Sequence, residues 1–181
     1  MKKILCLIDV QNDFIDGSLS NKVAQRVVPK IAEKVRNFDG DAIIYTMDTH
    51  TEEYLNTKEG KLLPVEHCIV GTDGWKLNSE VNAAIVSKQA AGMRVFNIIK
   101  PTFGSTQLVR DIATIVGDGE FEIEFCGFCT DICVVSNVLI TKAAFYEQAS
   151  VTVDSALCAG VTPEKHEAAL ETMRSCQINV I

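Results

Sequence analysis

Lys3-Ile4-Leu5-Cys6-Leu7-Ile8-Asp9 is a run of five apolar residues closed by an acid, near the start of the chain. Met1-Lys2-Lys3 ahead of it has the charge of a secretory leader, but the apolar run is too short for one. An unbroken apolar run of this length fits a strand buried on both faces, as a parallel sheet requires. The same signature recurs. Six strands are expected, at Lys3 to Asp9, Asp41 to Met47, Met93 to Ile98, Glu120 to Cys126, Ser150 to Val153 and Gln177 to Val180. Between them Val23 to Phe38, Leu77 to Ala91, Ser105 to Val116, Thr130 to Gln148 and Pro163 to Ser175 space apolar residues three and four apart. Strand and helix in alternation predict a three-layer αβα, Rossmann-like fold around a mainly parallel six-stranded sheet. The length of 181 residues fits one domain spanning 1 to 181.

Composition excludes several classes of function. A net charge of −7 and a pI near 5.0, with no Lys/Arg run, leave nothing to track a phosphate backbone, so no nucleic-acid partner is expected. No apolar stretch approaches the roughly 20 residues of a membrane span. Seven irregularly spaced cysteines argue against a disulfide framework and for a reducing, cytoplasmic setting. The last expected strand runs almost to Ile181, so a neighbouring copy in a homo-oligomer is expected to cover that edge.

Ligands of open α/β sheets sit at the carboxyl ends of the strands, so the polar residues closing strands carry the functional reading. Asp9 delivers a carboxylate to the end of a buried strand, where it needs a partner or a shifted pKa; a capping acid is the bland alternative. Lys100 closes the third strand in Ile98-Ile99-Lys100-Pro101, though most lysines there only reach solvent. Cys133 follows a strand, Gly127 and a plausible N-cap, Thr130. A thiol in a first helical turn has its pKa lowered by the helix dipole, whereas most cysteines are merely small buried hydrophobes. Cys126-x-x-Cys129 admits a redox pair, but a structural zinc would need a second pair, which the chain lacks.

Only Thr49 to Trp75 shows neither period, and a loop that long is usually functional. Asp48, His50, Glu59 and His67 in and beside it offer two carboxylates and two histidines, a set suited to a divalent transition metal. An ordinary polar loop with unrelated histidines is the alternative.

Together these residues resemble the isochorismatase-like cysteine hydrolases, the nicotinamidases in particular, over nearly the whole chain. Ile8-Asp9-Val10-Gln11-Asn12-Asp13-Phe14, Lys100-Pro101-Thr102-Phe103-Gly104-Ser105 and Gly127-Phe128-Cys129-Thr130-Asp131-Ile132-Cys133-Val134 are similar to three ordered family signatures. The resemblance implies a catalytic triad of Asp9, Lys100 and Cys133, with Cys133 attacking a small amide. It also implies a cis peptide between Phe128 and Cys129 and an oxyanion hole from the N–H groups of Cys129 and Cys133. It implies zinc or a similar metal at Asp48, His50, Glu59 and His67, and substrate contacts from Phe14, Leu63 and Phe103. Leu63 stands where nicotinamidases commonly carry an aromatic residue, which opens the possibility of a ureido or carbamoyl substrate. The branch that cleaves a vinyl ether lacks the cysteine present here at 133.

Overall fold

The computed structural model describes residues Met1–Ile181. In chain order the elements are β1 (Lys2–Ile8), α1 (Asn12–Ile15), α2 (Lys22–Asn37), β2 (Ala42–Asp48), α3 (Lys58–Leu62), α4 (Ser79–Ala90) and β3 (Arg94–Lys100). There follow α5 (Thr106–Val116), β4 (Phe121–Phe128), α6 (Val135–Phe145), β5 (Ala149–Ala159), α7 (Pro163–Ser175) and β6 (Asn179–Val180). The six strands form one sheet in the order β3-β2-β1-β4-β5-β6, and every pairing is parallel. The order reverses at β1, which therefore lies inside the sheet and pairs with both β2 and β4. Helices cover both faces, with α2 packed on α4 and α6 packed between α5 and α7.

The run Ile4–Ile8 is buried throughout because β1 meets strands on both edges and helices on both faces. One cluster of 45 buried apolar residues joins it to the helix faces. No helix is long and apolar enough to cross a membrane.

The structure revises several expected boundaries. β3 continues to Lys100 and β4 to Phe128, because parallel pairing with β2 and β1 carries those chains past the end of their apolar runs. β5 runs from Ala149 to Ala159 rather than stopping at Val153. Its pairing with β4 jumps from Phe125↔Val153 to Gly127↔Cys158, and the polar Asp154 and Ser155 in this irregularity break the sequence signal. The helix expected over Thr130 to Gln148 divides into a π-helical turn at Thr130–Val134, α6, and a 3₁₀ turn at Tyr146–Gln148. Within the long loop lie a 3₁₀ turn at Tyr54–Asn56 and α3.

Gly127 lets β4 lie against the exit of β1. Its φ is +120°, and a Cβ there would stand 2.1 Å from the Ile8 carbonyl oxygen. Gly127→Ala is expected to cost about 4 kcal/mol or more, since both backbone strain and a clash with immobile main chain apply. Urea unfolding would measure it; a midpoint equal to that of the parent would contradict this role.

Candidate active site

Three strand ends and one helical turn converge beside the point where the sheet order reverses. Asp9 follows β1 in a left-handed conformation, φ +48°, which turns the chain out of the sheet and leaves its carboxylate buried. The Thr46 hydroxyl of β2 donates to Asp9 Oδ1 at 2.6 Å, and the Asp9 N–H donates back to Thr46 at 3.2 Å. Lys100 at the end of β3 is 1% exposed, and its Nζ lies 2.6 Å from Asp9 Oδ2.

Lys100 also donates to the Thr102 carbonyl at 3.1 Å and to Cys133 Sγ at 3.5 Å. Cys133 itself lies on the π-helical turn between β4 and α6 and is buried. Such turns recur at functional sites because they aim side chains that a regular helix would point elsewhere. The peptide between Phe128 and Cys129 is cis.

Two expectations are corrected here. Thr130 does not cap the helix: its hydroxyl pairs with His166 Nδ1 of α7 at 2.8 Å, and Cys129 occupies the cap position without a side-chain bond. Nor does position at a helix start lower the Cys133 pKa. Burial and the Asp9 charge push the thiol well above its ordinary value, with the Lys100 ammonium opposing them. Burial likewise raises Asp9, against the pull of Lys100. On Lys100 burial works in the opposite sense, but Asp9, Cys133 and Asp48 together overcome it and hold the ammonium above its ordinary range.

The second group begins one contact away, where Asp48 Oδ1 lies 3.6 Å from Lys100 Nζ. The other oxygen, Oδ2, stands 3.0 Å from His50 Nε2 and 3.4 Å from His67 Nε2, while Glu59 Oε1 lies 3.6 Å and 4.0 Å from the same nitrogens. The four donor atoms fall within 4.8 Å of one another. Against burial, the bonds from the two histidines and the Lys100 charge hold the Asp48 carboxyl well below its ordinary value.

The loop is tied down at each of these residues. His50 N–H donates to the Cys68 carbonyl at 2.9 Å, and Cys68 N–H to the buried Asp13 carboxylate at 2.7 Å, which fixes the segment beside His67. His67 Nδ1 lies 2.9 Å from the Val65 carbonyl, which fixes the ring with Nε2 turned toward Asp48 and Glu59. Thr57 caps α3 and sets Glu59 in its first turn. Tyr54 is fully buried with ring centroids 4.6 Å from His50 and 4.9 Å from His67. Two buried imidazoles whose Nε2 atoms face two carboxylate oxygens fit a divalent transition ion by donor chemistry and spacing.

Phe14 is buried and meets His67 edge-on at 5.8 Å between centroids. Leu63 and Phe103 are exposed; the Leu63 carbonyl accepts from the Tyr54 hydroxyl, and the Phe103 carbonyl from Asn137 Nδ2. Trp75 donates through Nε1 to Thr49 Oγ1 at 2.8 Å. Cys126 is fully buried and its thiol raised by burial, while Cys129 is pushed up to about 12 by burial. Neither offers the low-pKa, accessible thiolate that redox exchange needs.

Sequence reading missed Thr46 and Tyr54. Thr46 did leave a signal, a polar residue two before Asp48 and hence on the same face of a buried strand. Tyr54 left none, because its neighbours are brought in by the loop.

A parallel αβα sheet carrying a buried thiol, carboxylate and ammonium at its reversal point defines a class of protein built for polar chemistry on a small molecule. The model of the isochorismatase domain matches residues 3–181, and the chain belongs to the isochorismatase family. A Bacillus subtilis (strain 168) protein described as an uncharacterized isochorismatase family protein, PncA, is 30% identical over 141 residues, 75% of each chain. The crystal structure of nicotinamidase/pyrazinamidase PncA from Bacillus subtilis superposes with a TM-score of 0.83 at 26% identity, covering 99% of both chains. The pyrazinamidase/nicotinamidase of Streptococcus mutans UA159 gives 0.77, also at 26% identity and 99% of both chains.

Proposed function

We propose that this chain hydrolyses nicotinamide to nicotinate and ammonia through a thioester on Cys133. The coarser statement, an amidohydrolase cleaving a C–N bond, rests on the family and on the relatives just described. The observation that carries the thioester mechanism is the contact of Lys100 Nζ with both Asp9 Oδ2 at 2.6 Å and Cys133 Sγ at 3.5 Å, and the metal-donor group beside it supports nicotinamide as the substrate. This is the arrangement a thiol needs to lose its proton to a carboxylate while an ammonium balances the sulfur's charge.

In the first half-reaction the Asp9 carboxylate takes the thiol proton, and sulfur attacks the amide carbon. N–H groups of Cys129 and Cys133 hold the oxyanion, an interaction worth about 3 to 4 kcal/mol per donor in comparable sites. The proton on Asp9 passes to the departing nitrogen, ammonia leaves and the thioester remains. In the second half-reaction Asp9 accepts a proton from water, whose oxygen attacks the thioester carbon. The acid leaves and the proton returns to sulfur.

Asp48, His50, Glu59 and His67 would hold a divalent ion, which we take to be zinc. When bound, such an ion supplies positive charge that orients a substrate heteroatom and polarises water. Phe14 supports the ring reading by lying against His67. Leu63, in the place of a usual aromatic, favours a second reading, a ureido or carbamoyl amide cleaved by the same three residues.

Ammonia release from nicotinamide, measured before and after chelation and with zinc restored, tests the proposal. Metal-dependent turnover is expected; turnover only on ureido or carbamoyl amides would establish the second reading. The pH profile supplies a further expectation. Asp9 must be ionised to accept the proton, and burial raises its carboxyl above the ordinary 3.8. Activity should therefore fall as pH drops through a value above that figure, and kcat/KM flat down to 3.8 would contradict Asp9 as base.

A further inference from the structure

Gln11 is fully buried, yet no step of the reaction uses it. The β1–β2 ladder ends at Leu7↔Tyr45, because the chain turns away at Asp9, while β2 runs on to Asp48. On its far edge Asp48 remains paired with Lys100 of β3. On its near edge the Gln11 side chain takes the place of the missing strand. Its Oε1 accepts from the Asp48 N–H at 2.7 Å, and its Nε2 donates to the Asp48 carbonyl at 2.8 Å. The second Nε2 proton goes to the Trp75 carbonyl at 2.8 Å, so both amide donors are used. Trp75 in turn donates to Thr49, so the Asp48-Thr49 segment is held from two sides.

The geometry points to Gln11 as the positioning residue of the metal-donor group: it fixes the main chain of Asp48, and so sets where that carboxylate meets His50, His67 and Lys100. Asp48 is the one residue of the four donors that also touches the Lys100 ammonium, at 3.6 Å. A residue that fixes its main chain therefore sets the spacing between the two groups. The side chain suits the task because a primary amide presents a donor and an acceptor side by side, as a strand edge does. Asparagine has the same face but is one methylene shorter.

This inference rests on the reading of Asp48, His50, Glu59 and His67 as a zinc site. Gln11→Met keeps side-chain volume but removes both bonds to Asp48. Gln11→Glu keeps the acceptor and sets its second oxygen against two carbonyls. Zinc affinity, read by competition with a chromophoric chelator, is expected to weaken about 10- to 100-fold in both variants, the usual effect of removing a partner that orients a ligand.

Folded variants that bind zinc as tightly as the parent would overturn the inference and leave the zinc reading intact. A parent protein that binds no zinc would remove both. Should neither variant fold, the parent's Gln11 side-chain amide resonances decide. Both protons should exchange slowly and shift on stoichiometric zinc; unshifted or rapidly exchanging protons would overturn the inference.

Discussion

Cys133→Ala is expected to lower amide hydrolysis by about 10⁴-fold or more, with the fold retained. The sulfur is the only group placed to form the thioester, so what remains should be only what binding and the oxyanion donors supply. Cys133 is 4% exposed, and Lys100 and Asp9 keep their ion pair without it, so alanine leaves a small void rather than a broken network. A stability loss near 1 kcal/mol follows from deleting one buried atom of that size. Ammonia release and a urea unfolding curve test both halves. Turnover within ten-fold of the parent would sink the assignment of Cys133 as nucleophile. Cys133→Ser should be nearly as inactive, because a hydroxyl gives up its proton to Asp9 far less readily than a thiol.

Lys100→Met is expected to be the most destabilising change in the site. Its ammonium faces Asp9 Oδ2 at 2.6 Å and Asp48 Oδ1 at 3.6 Å, and all three groups are buried. Removing the cation strands two carboxylates in a medium that cannot solvate them, at a cost of about 3 to 5 kcal/mol. Turnover should be lost as well, since nothing then balances the charge on sulfur. The double change Lys100→Met with Asp9→Asn separates the two effects. Neutralising Asp9 removes one stranded charge and should recover a large part of the stability, while activity stays absent. Recovery of turnover in the double variant would refute the pair's catalytic role; equal stability of the parent, Lys100→Met and the double variant would refute its electrostatic one.

Much of this arrangement was legible in the sequence. Unbroken apolar runs alternating with helical periods dictated a parallel sheet between helix layers, because only a strand covered on both faces can be apolar at consecutive positions. The same rule marked Asp9, Lys100 and Asp48 as polar groups at strand exits. Boundaries were less legible where polar residues sit inside pairing, as at Asp154 and Ser155, since hydrogen bonds between strands do not require an apolar pattern.

What the sequence by itself determined was the class of fold, the strand ends that carry chemistry and the residue types gathered there. Tertiary structure alone decided their distances and their burial. Lys100 reaches Asp9 across two strand spacings because β3, β2 and β1 are adjacent in the sheet, an order that local periodicity does not encode. The upward shift of the Cys133 thiol turns on depth of burial, which depends on everything packed around it. Gln11 follows the same logic: in the sequence it is one polar residue after a strand, and it becomes the partner of Asp48 only because the turn at Asp9 carries it into the gap that β1 leaves beside β2.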